Sequence, residues 1–139
     1  MPQLDSHRGY PRPLLVRDTW TSLNGPWDFA IDFDGGVEHP RRIAWSSVIQ
    51  VPFSPETTAS GIGDTGLFRA CWYRRDVAIP SGEGQRLLLH FGAVDHRATV
   101  WVNGSLVARH EGGYTPFTCD VTTVAVSYTH LTLPTILRV

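Results

Sequence analysis

The spacing of turn-forming residues is the feature that most constrains the fold of this chain. Glycine contributes 13 and proline 10 of the 139 residues, and they separate short segments rich in apolar and β-branched residues about every ten positions. The strongest single signal is Asn103-Gly104, since both residues tolerate the positive φ angles of a tight β-hairpin. No window of about 11 residues shows helical periodicity. These patterns predict an all-β fold, specifically a β-sandwich or jelly roll.

The same patterns place individual strands. Residues 27–33 alternate apolar and polar side chains after the turn at 24–26, which indicates a strand with one buried face. We predict further strands near 48–51, 67–79, 86–91, 97–102 and 105–110, and a last short strand ending near 121. Trp27, Trp72 and Trp101 lie in these strands and are predicted to fill the core, because each can bury about 150–250 Å².

The chain divides into three parts of unequal character. Residues 1–11 are predicted to form an extended N-terminal arm, and residues 12–125 are predicted to form one β-sandwich domain. Residues 126–139 differ from the rest, because 126–135 back-translates into a transposase end sequence used in sequencing-library adapters. We therefore predict that 126–139 is a non-native tail produced by adapter read-through. The alternative is an ordinary Thr-rich strand over 127–133.

Charge and cysteine content exclude several classes of partner. The chain has 12 basic and 13 acidic residues, a net charge of -1, whereas a nucleic-acid binder carries a basic excess. The sequence contains no apolar run of about 18 residues and no signal peptide, so we predict a cytoplasmic location and no membrane partner. Cys71 and Cys119 are too few for a disulfide scaffold, and the six histidines lack metal-site spacing. No metal or cofactor is expected.

One glycine-rich segment matches a nucleotide-binding motif. Residues 61–66, Gly-Ile-Gly-Asp-Thr-Gly, match the G-x-G-x-x-G pattern. A dinucleotide site requires a strand before this pattern and a helix after it. Here a Pro/Ser/Thr loop precedes the pattern and the aromatic segment around Trp72 follows it, so a loop that uses glycine for tight turns is the better interpretation.

Three blocks of sequence together resemble one family. They are 20–29 (Trp-Thr-Ser-Leu-Asn-Gly-Pro-Trp-Asp-Phe), 72–80 (Trp-Tyr-Arg-Arg-Asp-Val-Ala-Ile-Pro) and 100–122, which contains Gly-Tyr-Thr-Pro-Phe at 113–117. In this order and spacing they resemble the N-terminal sugar-binding domain of glycoside hydrolase family 2, which includes β-galactosidases, β-glucuronidases and β-mannosidases. The resemblance covers residues 12 to 124 and implies a jelly-roll β-sandwich. It also implies that the domain at 12–125 is incomplete, because the family's domain continues with further strands after the Asp-Val-Thr block at 120–122.

The resemblance also implies a role for the domain. In the family this domain precedes an immunoglobulin-like domain and a TIM barrel, whose two glutamates about 5 Å apart perform retaining hydrolysis. The chain contains neither the barrel nor those glutamates, so no catalytic residue is assigned. We expect a scaffold domain whose parent enzyme binds a β-linked carbohydrate and is compatible with a homo-oligomer. The sugar that the parent cleaves is left open.

Four residues are candidates for sugar contact. In the family a loop of this domain edges the active-site cleft, and the loop at 52–66 would supply Glu56 and Asp64 as polar contacts; ordinary loop carboxylates are the alternative. Trp20 and Trp45 lie on less regular stretches, where an exposed ring could stack on a sugar.

Two other functions compete with the glycosidase domain. A free-standing carbohydrate-binding module would present exposed aromatic residues on a concave sheet face. A structural or interaction sandwich would present an apolar docking surface and bind no sugar.

Overall fold

The computed structural model describes residues 21–66, 68–78, 86–94, 96–124 and, for the backbone, 128–136. Two 3-10 helices, Pro40–Arg42 and Thr58–Ser60, are the only helical segments in these ranges. The rest of the regular structure is β, as predicted. The strands are β1 (Gly25–Asp32), β2 (Ser47–Val51), β3 (Ala70–Ala78), β4 (Leu88–Phe91), β5 (Arg97–Val102), β6 (Ser105–Glu111), β7 (Phe117–Asp120) and β8 (Tyr128–Ile136).

The strands form two antiparallel sheets that pack as a sandwich. The larger sheet has six strands in the order β2-β1-β3-β8-β5-β6, and the smaller sheet pairs β4 with β7. Since most neighbouring strands of the larger sheet are not consecutive in the chain, their pairing is long-range. This architecture confirms the predicted all-β jelly-roll β-sandwich.

The core lies between the two sheets. The larger sheet buries Trp27, Phe29 and Ile49 from its β2-β1 side and Val100 and Val102 from β5. The smaller sheet contributes Cys119, with Leu89, Phe91 and Phe117 packed against the cluster. Trp72 is also buried, whereas Trp101 is only partly buried.

The buried face of β1 ends earlier than the alternation predicts. Phe33 is 62% exposed, because the strand stops at Asp32 and the chain turns. The Asp32 carboxylate accepts hydrogen bonds from the Gly35 and Val37 N–H groups at 3.0 and 2.9 Å. This side-chain turn competes with continued strand pairing, and it leaves Phe33 outside the core.

The predicted hairpin at Asn103-Gly104 is present between β5 and β6. Asn103 has φ 51° and Gly104 has φ 80°, as a two-residue turn with both central residues at positive φ requires. The Asn103 side chain also donates from Nδ2 to the Val124 carbonyl at 2.8 Å, which ties the turn to the segment after β7.

The segment 128–136 takes a strand position in the middle of the larger sheet. Its pairing with β3 runs from Ala70 opposite Ile136 to Ala78 opposite Tyr128, and its other edge pairs with β5. This is the conformation expected from the Thr-rich strand alternative. The non-native origin of 126–139 stays a prediction, which the nucleotide sequence of the source reads would test. The domain boundaries also stay predictions. The predicted arm at 1–11 lies outside the described residues.

Candidate functional site

The loop at 52–66, predicted to edge a sugar cleft, is organised by its own hydrogen bonds. The buried Ser60 donates from Oγ to the Thr57 carbonyl at 2.7 Å and accepts from the Ile62 N–H at 3.1 Å. The glycine motif uses positive φ at Gly61 and Gly63, and β3 rather than a helix follows it. The arrangement therefore matches the interpretation of this motif as a turn-rich loop and does not form a dinucleotide site.

The two predicted carboxylates of this loop occupy different positions. Glu56 is exposed. Asp64 lines an open cleft of about 440 Å³ whose other walls include Phe33, Val48 and Ile62. Its Oδ1 accepts a hydrogen bond from the Gly66 N–H at 2.8 Å, so one oxygen is already engaged by the loop. Sugar contact by Glu56 and Asp64 stays a prediction.

A second cleft gathers residues that are far apart in the sequence, and we call it the Arg74 cleft. It is an open depression with a volume of about 350 Å³. Its lining comes from the segment around the first 3-10 helix, from β3 and from the β5–β6 turn, and comprises His39, Pro40, Arg41, Trp45, Arg74, Asn103 and Gly104. Of the sugar-stacking candidates, Trp45 is half-buried in this wall, and Trp20 lies outside the described residues.

Arg74 is held in the cleft wall by two contacts. Its Nε and Nη2 donate to Asp28 Oδ2 at 3.0 and 2.8 Å. Its guanidinium carbon lies 4.6 Å from the centroid of the Trp45 ring, which is within the range of a cation–π interaction. Trp45 is therefore one side of an arginine stack, and Asp28 is the ion-pair partner of Arg74.

The neighbouring Arg75 points elsewhere, as the alternation of side chains along a strand requires. Its Nη1 donates to the Leu23 carbonyl at 2.7 Å and to the Asn24 carbonyl at 3.2 Å. Adjacent arginines thus have separate roles, since Arg74 lines the cleft and Arg75 fixes the entry to β1.

His39 positions the other cationic wall of the Arg74 cleft. Its Nδ1 accepts a hydrogen bond from the Arg41 N–H at 3.2 Å. Its ring packs edge-on against Trp101 with 4.9 Å between the centroids. Sequence reasoning missed His39 and Arg41, because the cleft depends on contacts between distant segments.

Buried ionisable groups lie in the core behind the loop. Burial raises the pKa of the Cys71 thiol to about 12, with a smaller contribution from the negative charges of Glu56 and Asp64. Burial likewise raises the pKa of Tyr73. Both groups are therefore neutral near pH 7 and act as packing residues rather than nucleophiles.

The described part of the chain shows neither a metal cluster nor a membrane helix. Across 21–66, 68–78, 86–94, 96–124 and 128–136, no three His, Cys, Asp or Glu side chains come together as a metal site. Within the same residues, no helix has the length and hydrophobicity needed to span a bilayer.

Comparison with known proteins identifies the family. Residues 63–133 match the sequence model described as "Glycosyl hydrolases family 2, sugar binding domain". The chain belongs to glycosyl hydrolase family 2. The predicted family is thereby confirmed, and the match falls on its sugar-binding domain at the N-terminus.

Several relatives of the family 2 chain are β-glucuronidases. The β-glucuronidase of Paenibacillus borealis is 34% identical, and the match covers 84% of this chain and 20% of that protein. The human β-glucuronidase is 33% identical, with 81% of this chain and 19% of that protein covered. The chain thus spans about a fifth of the length of the curated relatives it matches.

Solved structures give the same result at the level of the fold. The Faecalibacterium prausnitzii β-glucuronidase superposes with a TM-score of 0.69 at 32% identity, over 88% of this chain and 22% of that chain. The Bifidobacterium dentium β-glucuronidase, solved with coumarin-3-O-glucuronide, superposes with a TM-score of 0.68 at 30% identity. This match covers 82% of the present chain and 19% of the Bifidobacterium dentium chain. This family 2 chain therefore corresponds to the N-terminal sugar-binding domain of the proteins that it matches.

Proposed function

We propose that this sugar-binding domain serves as the N-terminal scaffold of a retaining β-glycosidase that cleaves β-glucuronides. The observation that carries the proposal is the superposition on the Faecalibacterium prausnitzii β-glucuronidase, which covers 88% of this chain but only 22% of that one. The family resemblance supplies the retaining mechanism, with its two barrel glutamates. The sandwich by itself performs no hydrolysis.

The loop at 52–66 is the part of this domain that we place at the edge of the substrate cleft. It is rigidified by the buried Ser60. Its Asp64 is half-buried and lines the 440 Å³ cleft, and its Glu56 is exposed. Rigid loops on a sandwich position polar groups well for binding. In this role the two carboxylates accept hydrogen bonds from sugar hydroxyls and do not take part in bond cleavage.

The test of the proposed activity requires the complete gene product. We expect it to hydrolyse 4-nitrophenyl β-D-glucuronide in preference to the β-D-galactoside and β-D-mannoside, with retention of the anomeric configuration in an NMR assay. The 139-residue chain, assayed in parallel, should hydrolyse none of the three. Preference for the galactoside or mannoside would refute the substrate class, and turnover by the short chain would refute the scaffold role.

The loop assignment has its own test in the same enzyme. Glu56→Gln and Asp64→Asn should raise KM for the glucuronide and change kcat little, because they remove binding rather than bond-breaking groups. Glu38→Gln, an exposed carboxylate that lines neither cleft, is the matched control. Unchanged KM in both loop variants would remove 52–66 from the substrate cleft.

A further inference from the structure

The Arg74 cleft combines cationic groups with an aromatic wall. Arg41 and Arg74 both line it, and the described lining residues include no carboxylate. Asp28 neutralises Arg74 from the side. Arg41 is exposed and makes no ion pair with any described residue. The cleft consequently carries a net positive charge that a ligand could neutralise.

Hydrogen-bond donors face this space without a matching set of acceptors. Arginine has five N–H donors and no acceptor. Asp28 engages only Nε and Nη2 of Arg74, and Nη1 makes no hydrogen bond within the described part of the chain. His39 accepts at Nδ1, and an imidazole that accepts at Nδ1 carries a hydrogen on Nε2, so His39 is a further donor. Donor-rich, cationic surroundings favour a carboxylate, which binds planar guanidinium groups through paired hydrogen bonds.

Two of the donor side chains, Arg74 and His39, are also held in place before any ligand arrives. Arg74 is fixed between Asp28 and the Trp45 ring, and His39 is fixed against Trp101. Groups that are already ordered lose little conformational entropy on binding. A volume of about 350 Å³ lies at the small end of the about 300–1,000 Å³ that small-molecule sites occupy, which suits one or two sugar rings.

From these observations we propose that the Arg74 cleft binds a sugar that bears a carboxylate, such as a uronic acid residue. Arg41 and Nη1 of Arg74 bind the carboxylate, and the His39 Nε2–H donates to a ring hydroxyl. The Trp45 indole, which has the Arg74 guanidinium over one face, supplies the remaining apolar surface against which the C–H groups of the pyranose pack. The proposal does not depend on which glycoside a longer protein cleaves, because it concerns binding to residues of this chain.

The test compares a uronate with its neutral counterpart on the 139-residue chain. D-Glucuronate and D-glucose differ mainly in the carboxylate, and each is titrated into ¹⁵N-labelled protein by NMR. We expect the indole N–H signal of Trp45 to shift and that of Trp27, which donates to the Leu23 carbonyl, to stay unchanged. Glucuronate should bind at least about tenfold more tightly than glucose, since hydrogen bonds to a charged group are strong. Equal binding of the two sugars, or no shift with either, would overturn the proposal.

Two further ligands separate a sugar site from a simple anion site. Acetate supplies the carboxylate without the ring, and inorganic phosphate supplies an anion of different shape. Both should bind at least about tenfold more weakly than glucuronate, because they leave the aromatic wall uncovered. Binding of acetate or phosphate as tight as that of glucuronate would reduce the cleft to a general anion site and refute the sugar assignment.

Variants connect the binding to named residues. Arg41→Gln should weaken glucuronate binding about tenfold and leave glucose binding unchanged, and Arg41→Lys should restore part of the loss. Arg41 is exposed, so these changes leave the fold intact. Arg109→Gln, an exposed arginine on β6 outside the cleft, is the matched control. If Arg41→Gln and Arg109→Gln weaken binding equally, non-specific attraction explains the effect and the proposal fails.

Discussion

Arg74 on β3 and Asp28 on β1 stand directly opposite each other in the larger sheet and share a two-donor hydrogen-bonded ion pair. The pair does two things at once. It joins neighbouring strands whose residues are far apart in the sequence, and it aims the Arg74 guanidinium over the Trp45 ring. A cross-strand contact of the sheet thus also shapes the cleft.

The Asp28–Arg74 pair is expected to contribute modestly to stability. The two side chains are 43% and 37% exposed, so solvent screens the attraction, and we expect a coupling free energy of about 0.5–1 kcal/mol. A double-mutant cycle with Asp28→Ala and Arg74→Ala, followed by urea unfolding, measures it. The Arg86–Asp120 pair, whose arginine is 74% exposed, is the comparison and should give a smaller value. A larger coupling free energy for Arg86–Asp120 than for Asp28–Arg74 would contradict the expectation that the less exposed pair is coupled more strongly.

Adjacent positions on β2 should respond very differently to truncation. Ile49 is fully buried and Val48 is 52% exposed. Ile49→Val should lower the free energy of unfolding by about 0.5–1.5 kcal/mol, because it leaves a small cavity. Val48→Ala should change it by less than about 0.5 kcal/mol. Denaturant unfolding of both variants checks the register of β2, since a slip by one residue would exchange the two results.

Asp120 makes the fold sensitive to strongly acidic conditions. Three hydrogen bonds lower the pKa of the Asp120 carboxyl from 3.8 to about 2. The largest effect comes from the Thr122 hydroxyl, followed by the Thr122 N–H and the Arg86 side chain. Because the folded pKa is depressed, the stabilisation is complete above pH 3.8 and is lost as the pH falls towards 2.

A carboxyl NMR titration of Thr122 variants tests this assignment. Thr122→Val should raise the pKa of Asp120 towards its ordinary value, because the hydroxyl donor is removed. Thr122→Ser keeps the hydroxyl and should keep the low pKa. An unchanged pKa in Thr122→Val would mean that Arg86 or the backbone N–H holds the carboxylate instead.

The two thiols should differ in their protection from reagents. Cys71 is only 1% exposed, and burial raises the pKa of its thiol to about 12. Cys119 is 8% exposed. In native protein at pH 8 we expect Cys71 to react with a maleimide far more slowly than in denaturant, and Cys119 to react first. Peptide mass spectrometry of the labelled sites gives the order. Labelling of native Cys71 at the denatured rate would contradict its burial.

The sequence predicted the positions of the strands along the chain better than it predicted which strands pair with each other in the sheet. Alternation and turn residues are local, so β1 and the Asn103–Gly104 hairpin were found close to their observed limits. The order of the strands depends on pairing between distant segments, which no local pattern encodes. Phe33 followed the alternation but lies outside the core, because the Asp32 side chain ends the strand.

Some residues of the candidate site could likewise be identified from the sequence, and others could not. Trp45 could be singled out from its position on an irregular stretch. Asp64 lies on a cleft and Glu56 lines neither cleft, and sugar contact by these residues stays a prediction. His39, Arg41 and Arg74 meet only because the segment around the first 3-10 helix and β3 come together in the folded chain. Their shared cleft is a property of the tertiary structure and could not be predicted from spacing.

The place of β8 between β3 and β5 has a consequence for synthesis on the ribosome. The β2-β1-β3 part and the β5-β6 hairpin can each form from residues made earlier, but only β8 connects them. Pairing across so much intervening chain is slow. A nascent chain that stops before residue 128 therefore offers two open strand edges, those of β3 and β5, to any chaperone or neighbouring chain that can add a strand.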